Sequence, residues 1–310
     1  MRRRLLLPVA ITLATAGGFA VFALRIGHGA VAAATSPDWT FLIAAFAVAV
    51  AVQPLRAFAW RTTLRDDQVA FREIYAASAI GSFLDTVLPG RLGEASKVAV
   101  LRVAAGKRWP GFPRAGGSLL CTHLLEGIAF ALVGAASAFF LPLPGWVRIA
   151  LVGALGLAGG GLALAALLHR KLGRFLPRAL DRFLAGATAP PTVLLKSGGV
   201  LVLTWTARWG GILLMLHAFG VHASGAAALV YMIVTGLANT APLLPGNAGL
   251  YQGAAVGALA LVGEAGTKAI AVSMAAPVVA SIGTAIAAAL GLALFGRRFA
   301  ELPRAAFARA

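Results

Sequence analysis

Apolar residues along this chain come in blocks long enough to cross a lipid bilayer. Six blocks stand out: Leu5–Leu24, Thr40–Trp60, Ser118–Phe140, Ile149–Leu168, Val193–Phe219 and Ala269–Phe295. A hydrocarbon core about 30 Å thick takes about 20 apolar helical residues, so each block predicts one transmembrane helix. Two further apolar stretches are interrupted. Ile74–Leu101 covers 28 residues and breaks at Pro89-Gly90, and Ala226–Val262 covers 37 and breaks at Pro245-Gly246. Proline lacks the amide hydrogen that a helix needs and clashes with the preceding turn, while glycine loosens the backbone beside it. The arms on either side of each break are about 10 to 15 residues, too short to cross. In hydrocarbon, freed backbone groups are tolerated only where protein or a wet cavity satisfies them. Two such breaks in matching places of two halves therefore point to a binding site.

Composition supports a membrane protein. The chain is 60% hydrophobic and 12% charged, with a mean hydropathy of +0.87, whereas soluble domains carry about 25% charged residues. The polar-inward alternation of a transmembrane barrel is absent. The N-terminus, MRRRLLLPVAITLATAGGFAVFAL, has a basic head and an apolar run longer than the core of a cleaved signal peptide, so it predicts an uncleaved first span. The single Cys121 excludes an intrachain disulfide and a cysteine-based metal cluster.

The net charge of +17 raises nucleic acid as a partner. No RNA- or DNA-binding motif accompanies the charge, and basic residues in membrane proteins collect in cytoplasmic loops. Their distribution separates two topologies. If each broken stretch dips in and returns as a hairpin, with the N-terminus inside, segments 1–4, 61–73, 102–117, 169–192 and 296–310 are cytoplasmic and hold 19 Lys and Arg residues. Outside lie only Arg25, Arg148 and Lys268. If both stretches crossed fully, 102–117 and 169–192 would carry nine positive charges to the outside, against the positive-inside rule.

The expected fold class is therefore an all-α polytopic membrane protein: one membrane domain over 1–310 with six spans and two re-entrant hairpins. The unit span–hairpin–span occurs twice with opposite topology, over about 40–140 and 193–295, an inverted repeat with its tips near the bilayer middle. Spans 5–24 and 149–168 are peripheral or connecting. The basic linker 169–192, with HRKLGRFLPRALDRF at its start, predicts an interfacial amphipathic helix. The glycine-rich stretches around Gly153–Gly161 and Gly283–Gly291 predict close helix packing.

Charges at membrane depth cost about 2.5 to 3.5 kcal/mol each on insertion scales, so each needs a partner or a wet cavity. Asp85, Arg91, Glu94 and Lys97 sit in the first broken stretch, and Arg56 lies near the end of the span before it. His123 and Glu126, three apart on the following span, share a helical face. The second half supplies Arg208, Asn239, Asn247 and Gln252. One reading is neutralisation, Arg91 with Glu94 or Arg56 with Asp85. The other is that the cations and the freed amides from Pro89 through Gly90 to Gly93, at helix N-termini, hold an anionic head group. Arginine suits phosphate because its planar fork bonds two oxygens. The carboxylates then bind a counter-charge or relay protons. A lone His-x-x-Glu is too weak a signal for a metal, and no Gly-x-Ser-x-Gly or second deep aspartate supports an intramembrane hydrolase. No enzyme activity and no cofactor are expected.

The motif Pro-x-Arg-x-Gly-Glu (Pro89, Arg91, Gly93, Glu94) and the motif Pro-x-x-Pro-Gly-x-x-Gly (Pro242, Pro245, Gly246, Gly249) together resemble a flippase-like family, similar to the transmembrane flippase region of lysylphosphatidylglycerol synthases. Arg56, Trp60 and Arg61 fit the same pattern, and the resemblance runs from about residue 5 to 295. It implies a lipid flippase of the prokaryotic plasma membrane without the soluble aminoacyl transferase domain. Arg91 and Glu94 act at the first break and the Pro-Gly backbone at both. Gln252 stands where the family motif usually ends in glutamate, and Asn247 where it has glycine, which removes a carboxylate from the second hairpin.

The expected function is translocation of a phosphate-bearing lipid between leaflets, with Arg56, Arg91, Lys97 and Arg208 on the phosphate, Asp85, Glu94 and Glu126 on a counter-charge or proton, and the hairpin tips as the gate. The alternatives are a secondary transporter of a small solute or ion, and a non-transporting partner of a lipid-modifying enzyme. Both termini are expected in the cytoplasm.

Overall fold

The computed structural model describes residues 36–66, 68–87, 92–140, 145–238, 249–264 and 266–295. Among them are ten α-helices and no strand: α1 (Trp39–Leu64), α2 (Phe71–Val87), α3 (Leu92–Ala105), α4 (Phe112–Phe140), α5 (Gly145–Leu172), α6 (Arg178–Ala187), α7 (Pro191–Ala218), α8 (Gly225–Ala238), α9 (Leu250–Leu261) and α10 (Thr267–Phe295). Five of them, α1, α4, α5, α7 and α10, are long and apolar enough to cross a membrane, and the protein is a multi-pass membrane protein. Their bounds fall within two turns of the sequence expectation. The expected first span, Leu5–Leu24, lies outside the described residues.

Local chemistry sets the helix ends. Pro191 opens α7 at the position where its missing amide hydrogen costs nothing. α1 ends as Arg65 enters the left-handed region at φ 52°, a C-terminal stop held by its guanidinium donating to the Ala185 carbonyl at 2.7 Å. Pro54 inside α1 and Pro277 inside α10 are accommodated without ending either helix.

Each interrupted stretch forms two short helices. Arms of 17, 14, 14 and 12 residues are about 26, 21, 21 and 18 Å long at 1.5 Å per residue, each below the roughly 30 Å of a hydrocarbon core. α2 and α3 fold back on each other. Ile74 and Ala77, early in α2, share a buried cluster with Leu101 and Ala105, late in α3, while Asp85 near the end of α2 meets Glu94 near the start of α3. α8 and α9 also pack together: Ala228 and Tyr231 share a buried cluster with Ala255 and Leu259, and the Tyr231 and Tyr251 hydroxyls lie 3.2 Å apart.

The chain forms two compact units, each drawing on both halves of the sequence. The first contains 36–50, Ser82–Glu94 and Arg208–Thr284; the second contains Ala51–Gly81, Ala95–Ala207 and 285–295. The first has its core among Ala45, Leu216, Phe219, Tyr231, Leu259 and Val272. In the second, one cluster gathers Trp60, Leu64, Ile74 and Leu101, and another gathers Ala59, Cys121, Leu125 and Leu201. Below the first of these, fully buried Glu73 pairs with Arg108 and also accepts the Ala70 amide at 2.9 Å, and Arg114 pairs with Asp66 at 3.4 Å.

The linker helix and the α5 glycines show what composition alone leaves open. The amphipathic linker helix exists as α6, and its apolar side, Leu184, Gly186 and Ala187, is buried on α4 and α5. Gly117 of α4 and Gly186 of α6 permit that crossing: a Cβ on Gly117 would collide with the Phe183 carbonyl, and one on Gly186 would lie 2.7 Å from the Arg114 carbonyl. The glycines of α5 are the second case. A Cβ at Gly153, Gly156, Gly159 or Gly160 meets nothing within 4 Å; only Gly161 in that run packs closely, 3.0 Å from Leu124. Gly291 does have the expected tight contact, 3.0 Å from the backbone of Ala76.

Candidate functional site

A cleft in the second unit gathers charged side chains from three helices. Arg56 of α1, Lys97 of α3, and His123 and Glu126 of α4 line it, together with Trp60, Ser78, Leu119, Thr122 and Leu201. It is narrow, with a free volume of about 10 Å³, room for about one water molecule, and it opens at its mouth. Lys97 is only 2% exposed. A lysine so deeply buried costs several kcal/mol unless the surroundings compensate, and this one shares its cleft with a carboxylate.

The Arg56 guanidinium donates to Oε2 of Glu126 at 3.2 Å, and Nδ1 of His123 lies 3.4 Å from the same oxygen. Arg56 therefore pairs with Glu126, a partner that neither reading of the sequence assigned to it. The α1–α4 contact that aligns this pair is a hydroxyl network. Trp60 Nε1 donates to Ser118 Oγ at 3.1 Å, and Thr63 Oγ1 shares a 2.7 Å hydrogen bond with Thr122 Oγ1 while reaching the Ser118 carbonyl at 3.2 Å. Ser197 Oγ of α7 donates to the Ala59 carbonyl at 3.2 Å and ties α7 to α1 as well. One turn before Arg56, Gln53 is 7% exposed and its side-chain oxygen accepts no hydrogen bond among the described residues.

Two basic side chains, Arg56 and Lys97, line the cleft against one carboxylate, Glu126. The basic pair and the arginine fork suit an anion, most directly a phosphate. Sequence reasoning found Arg56, Lys97, His123 and Glu126 because charge in an apolar run is conspicuous. It did not single out Ser78 and Thr122, which line the cleft as well. The Ser118–Thr122 spacing of four, which sets two hydroxyls on one helical face, was the available signal.

At the first break, Asp85 caps the next helix. Its Oδ1 accepts the Glu94 amide at 3.1 Å, the third residue of α3, and Gly93 packs so tightly against it that a Cβ there would overlap the carboxylate. The positive end of α3, expected to attract a phosphate, is thus already supplied with an anion from α2. Pro89, Gly90 and Arg91 lie outside the described residues. At the second break, Gly249 takes φ 85° and Gln252 reaches back to accept the Gly249 amide at 2.6 Å, half of a capping box because glycine has no side chain to complete it. Asn239, Pro242, Pro245, Gly246 and Asn247 lie outside the described residues, and Arg208 is exposed on α7 in the first unit. Gln252 therefore has a structural task that needs only an acceptor oxygen.

Residues 5–288 match the family described as the lysylphosphatidylglycerol synthase TM region. No curated protein and no solved structure matches the chain.

Proposed function

The chain belongs to the lysylphosphatidylglycerol synthase TM-region family, and from that premise we propose that it moves a phosphate-bearing lipid between the leaflets of a prokaryotic plasma membrane. The observation that carries the reading is buried Lys97 beside the Arg56–Glu126 pair in a cleft between apolar helices. An anion entering from the mouth meets two cations, and its binding energy offsets the cost of keeping them at membrane depth.

In this proposal Arg56 and Lys97 bind the phosphate, Glu126 balances them while the cleft is empty, and Arg91 guides the head group. The two short-armed helix pairs enter from opposite sides as re-entrant hairpins of an inverted repeat and gate the path, with both termini cytoplasmic. The protein makes and breaks no covalent bond, and a lipid-synthesising enzyme supplies its substrate. Arms of 12 to 17 residues support the hairpins, because none reaches across.

Fluorescent phospholipids in proteoliposomes test this. Arg56→Gln and Lys97→Met should each slow translocation about 10- to 100-fold, the worth of one charge-assisted hydrogen bond, with Arg91→Ala and Glu94→Gln probing the first break. Parental rates in the first two variants would remove the cleft from the mechanism. A small anionic solute is the second reading, favoured by the narrowness of the cleft. It predicts uptake of soluble organophosphate with no movement of lipid.

A further inference from the structure

Between His169 and Lys196 the chain carries six Lys and Arg residues and one carboxylate, Asp181. Residues 173–190 join two spans, α5 and α7, so this connection leaves the bilayer and returns to it on one side. Its fold sorts the charges. A 3₁₀ turn over Gly173–Phe175 bends the chain after α5, and Oδ1 of Asp181 on α6 lies 3.2 Å from Nδ1 of His169 on α5. Gly173 makes room for that approach, since a Cβ there would stand 2.8 Å from the same oxygen. The carboxylate is thereby turned back onto α5. Arg170, Lys171, Arg178 and Arg182 are exposed, the last two one turn apart on α6. Large apolar side chains lie exposed among these cations: Leu172 at 43%, Phe175 at 71% and Leu180 at 44%. They are distinct from Leu184, Gly186 and Ala187, which α6 buries on the bundle.

We propose that the outward face of this α5–α6 elbow docks on the anionic phospholipid head groups of the leaflet it borders. The elbow stays at the interface because a span anchors it at each end. There the two kinds of exposed side chain have complementary places. Arginine and lysine reach the phosphates, while leucine and phenylalanine enter the level where head groups give way to acyl chains. Exposed charge alone is what any solvated loop carries; large apolar side chains beside it are what a lipid surface covers. Charge complementarity names the lipid. Four exposed cations, with the one carboxylate of the segment turned to His169, favour an anionic head group over a zwitterionic one. Each cation near such a surface is worth about a fivefold preference. The docking face is separate from the cleft at Arg56 and Lys97, and its test does not depend on transport.

The experiment places a fluorophore on the full-length Ala179→Cys chain, beside Arg178, and reconstitutes it at low salt in phosphatidylcholine vesicles with about 20 mol% phosphatidylglycerol. In one preparation the phosphatidylglycerol carries an acyl nitroxide quencher, and in the other an equal amount of the phosphatidylcholine does. Native Cys121 is buried and adds little background. Quenching should be stronger from phosphatidylglycerol, and the excess should shrink at about 0.5 M salt, where the screening length falls to about 4 Å. Arg178→Gln and Arg182→Gln should each weaken the preference by up to about fivefold, whereas Arg178→Lys and Arg182→Lys should keep it. Equal quenching by the two lipids overturns the proposal, and so does the parental preference persisting in the double glutamine variant. Quenching by aqueous iodide with none from either lipid makes this face a solvated loop. Protection from all three means that protein covers it, and either result ends the docking proposal.

Discussion

Replacing Glu126 by glutamine strips the cleft of the carboxylate that faces Arg56 and leaves two cations to repel one another. Arg56 is 21% exposed and Glu126 11% at the side chain, so the loss is smaller than for a fully dry pair. Glu126→Gln should cost about 1–3 kcal/mol of stability, read as a lowered thermal midpoint in detergent. Combined with Arg56→Gln, the two losses should fall short of additive by at least about 0.5 kcal/mol. At the first break, Asp85→Ala removes the α3 cap and should cost about 0.5–2 kcal/mol, whereas Asp85→Asn keeps an acceptor and should cost less; hydrogen exchange of the Glu94 amide reports the difference site by site. The charged members of both sites were legible in the sequence because ions in apolar runs need a reason. Their partners were not, since Asp85 finds its amide nine residues away and Arg56 finds its carboxylate 70 residues away.

Among the elements, hydrophobic runs gave the five long helices and all four short arms, because length and apolarity are local properties. Packing partners are not local. The linker helix α6 looks interfacial from its amphipathic pattern, and only the crossing at Gly117 and Gly186 reveals that α4 takes its apolar side. Gly117→Ala should therefore loosen α6, which limited proteolysis of the 169–192 segment would detect as faster cleavage. The α5 glycines give the contrast. With open space around Gly156 and Gly159, alanine there should be neutral or raise stability by up to about 1 kcal/mol per site through helix propensity. The glycine-rich run in the sequence cannot distinguish these cases, since composition is the same whether or not a neighbour approaches.

For the whole molecule, the division between a hairpin and a crossing is a statement about sides of a membrane. Cysteines introduced at Arg72, in the first turn of α2, and at Lys107, after α3, should react with an impermeant reagent from the same face. Cysteines at His222 and Glu264, flanking α8 and α9, should both react from the opposite face. The native Cys121 is buried and should give little background. Labelling of Arg72→Cys and Lys107→Cys from opposite faces would turn the α2–α3 pair into a crossing and reverse everything downstream. The expectation of hairpins comes from the clustering of basic residues in alternate loops, a property of the amino-acid order that needs no knowledge of packing.

Asp85 has one more consequence. A helix start with bare amides would be a resting place for whatever small anion is most abundant nearby, and chloride would hold it most of the time. With a tethered carboxylate already seated there, passing halide gains nothing by stopping, and the hairpin is spared permanent occupancy by salt. The protein would then respond to ionic strength chiefly at its loops, and exchanging chloride for gluconate should leave its working rate unchanged.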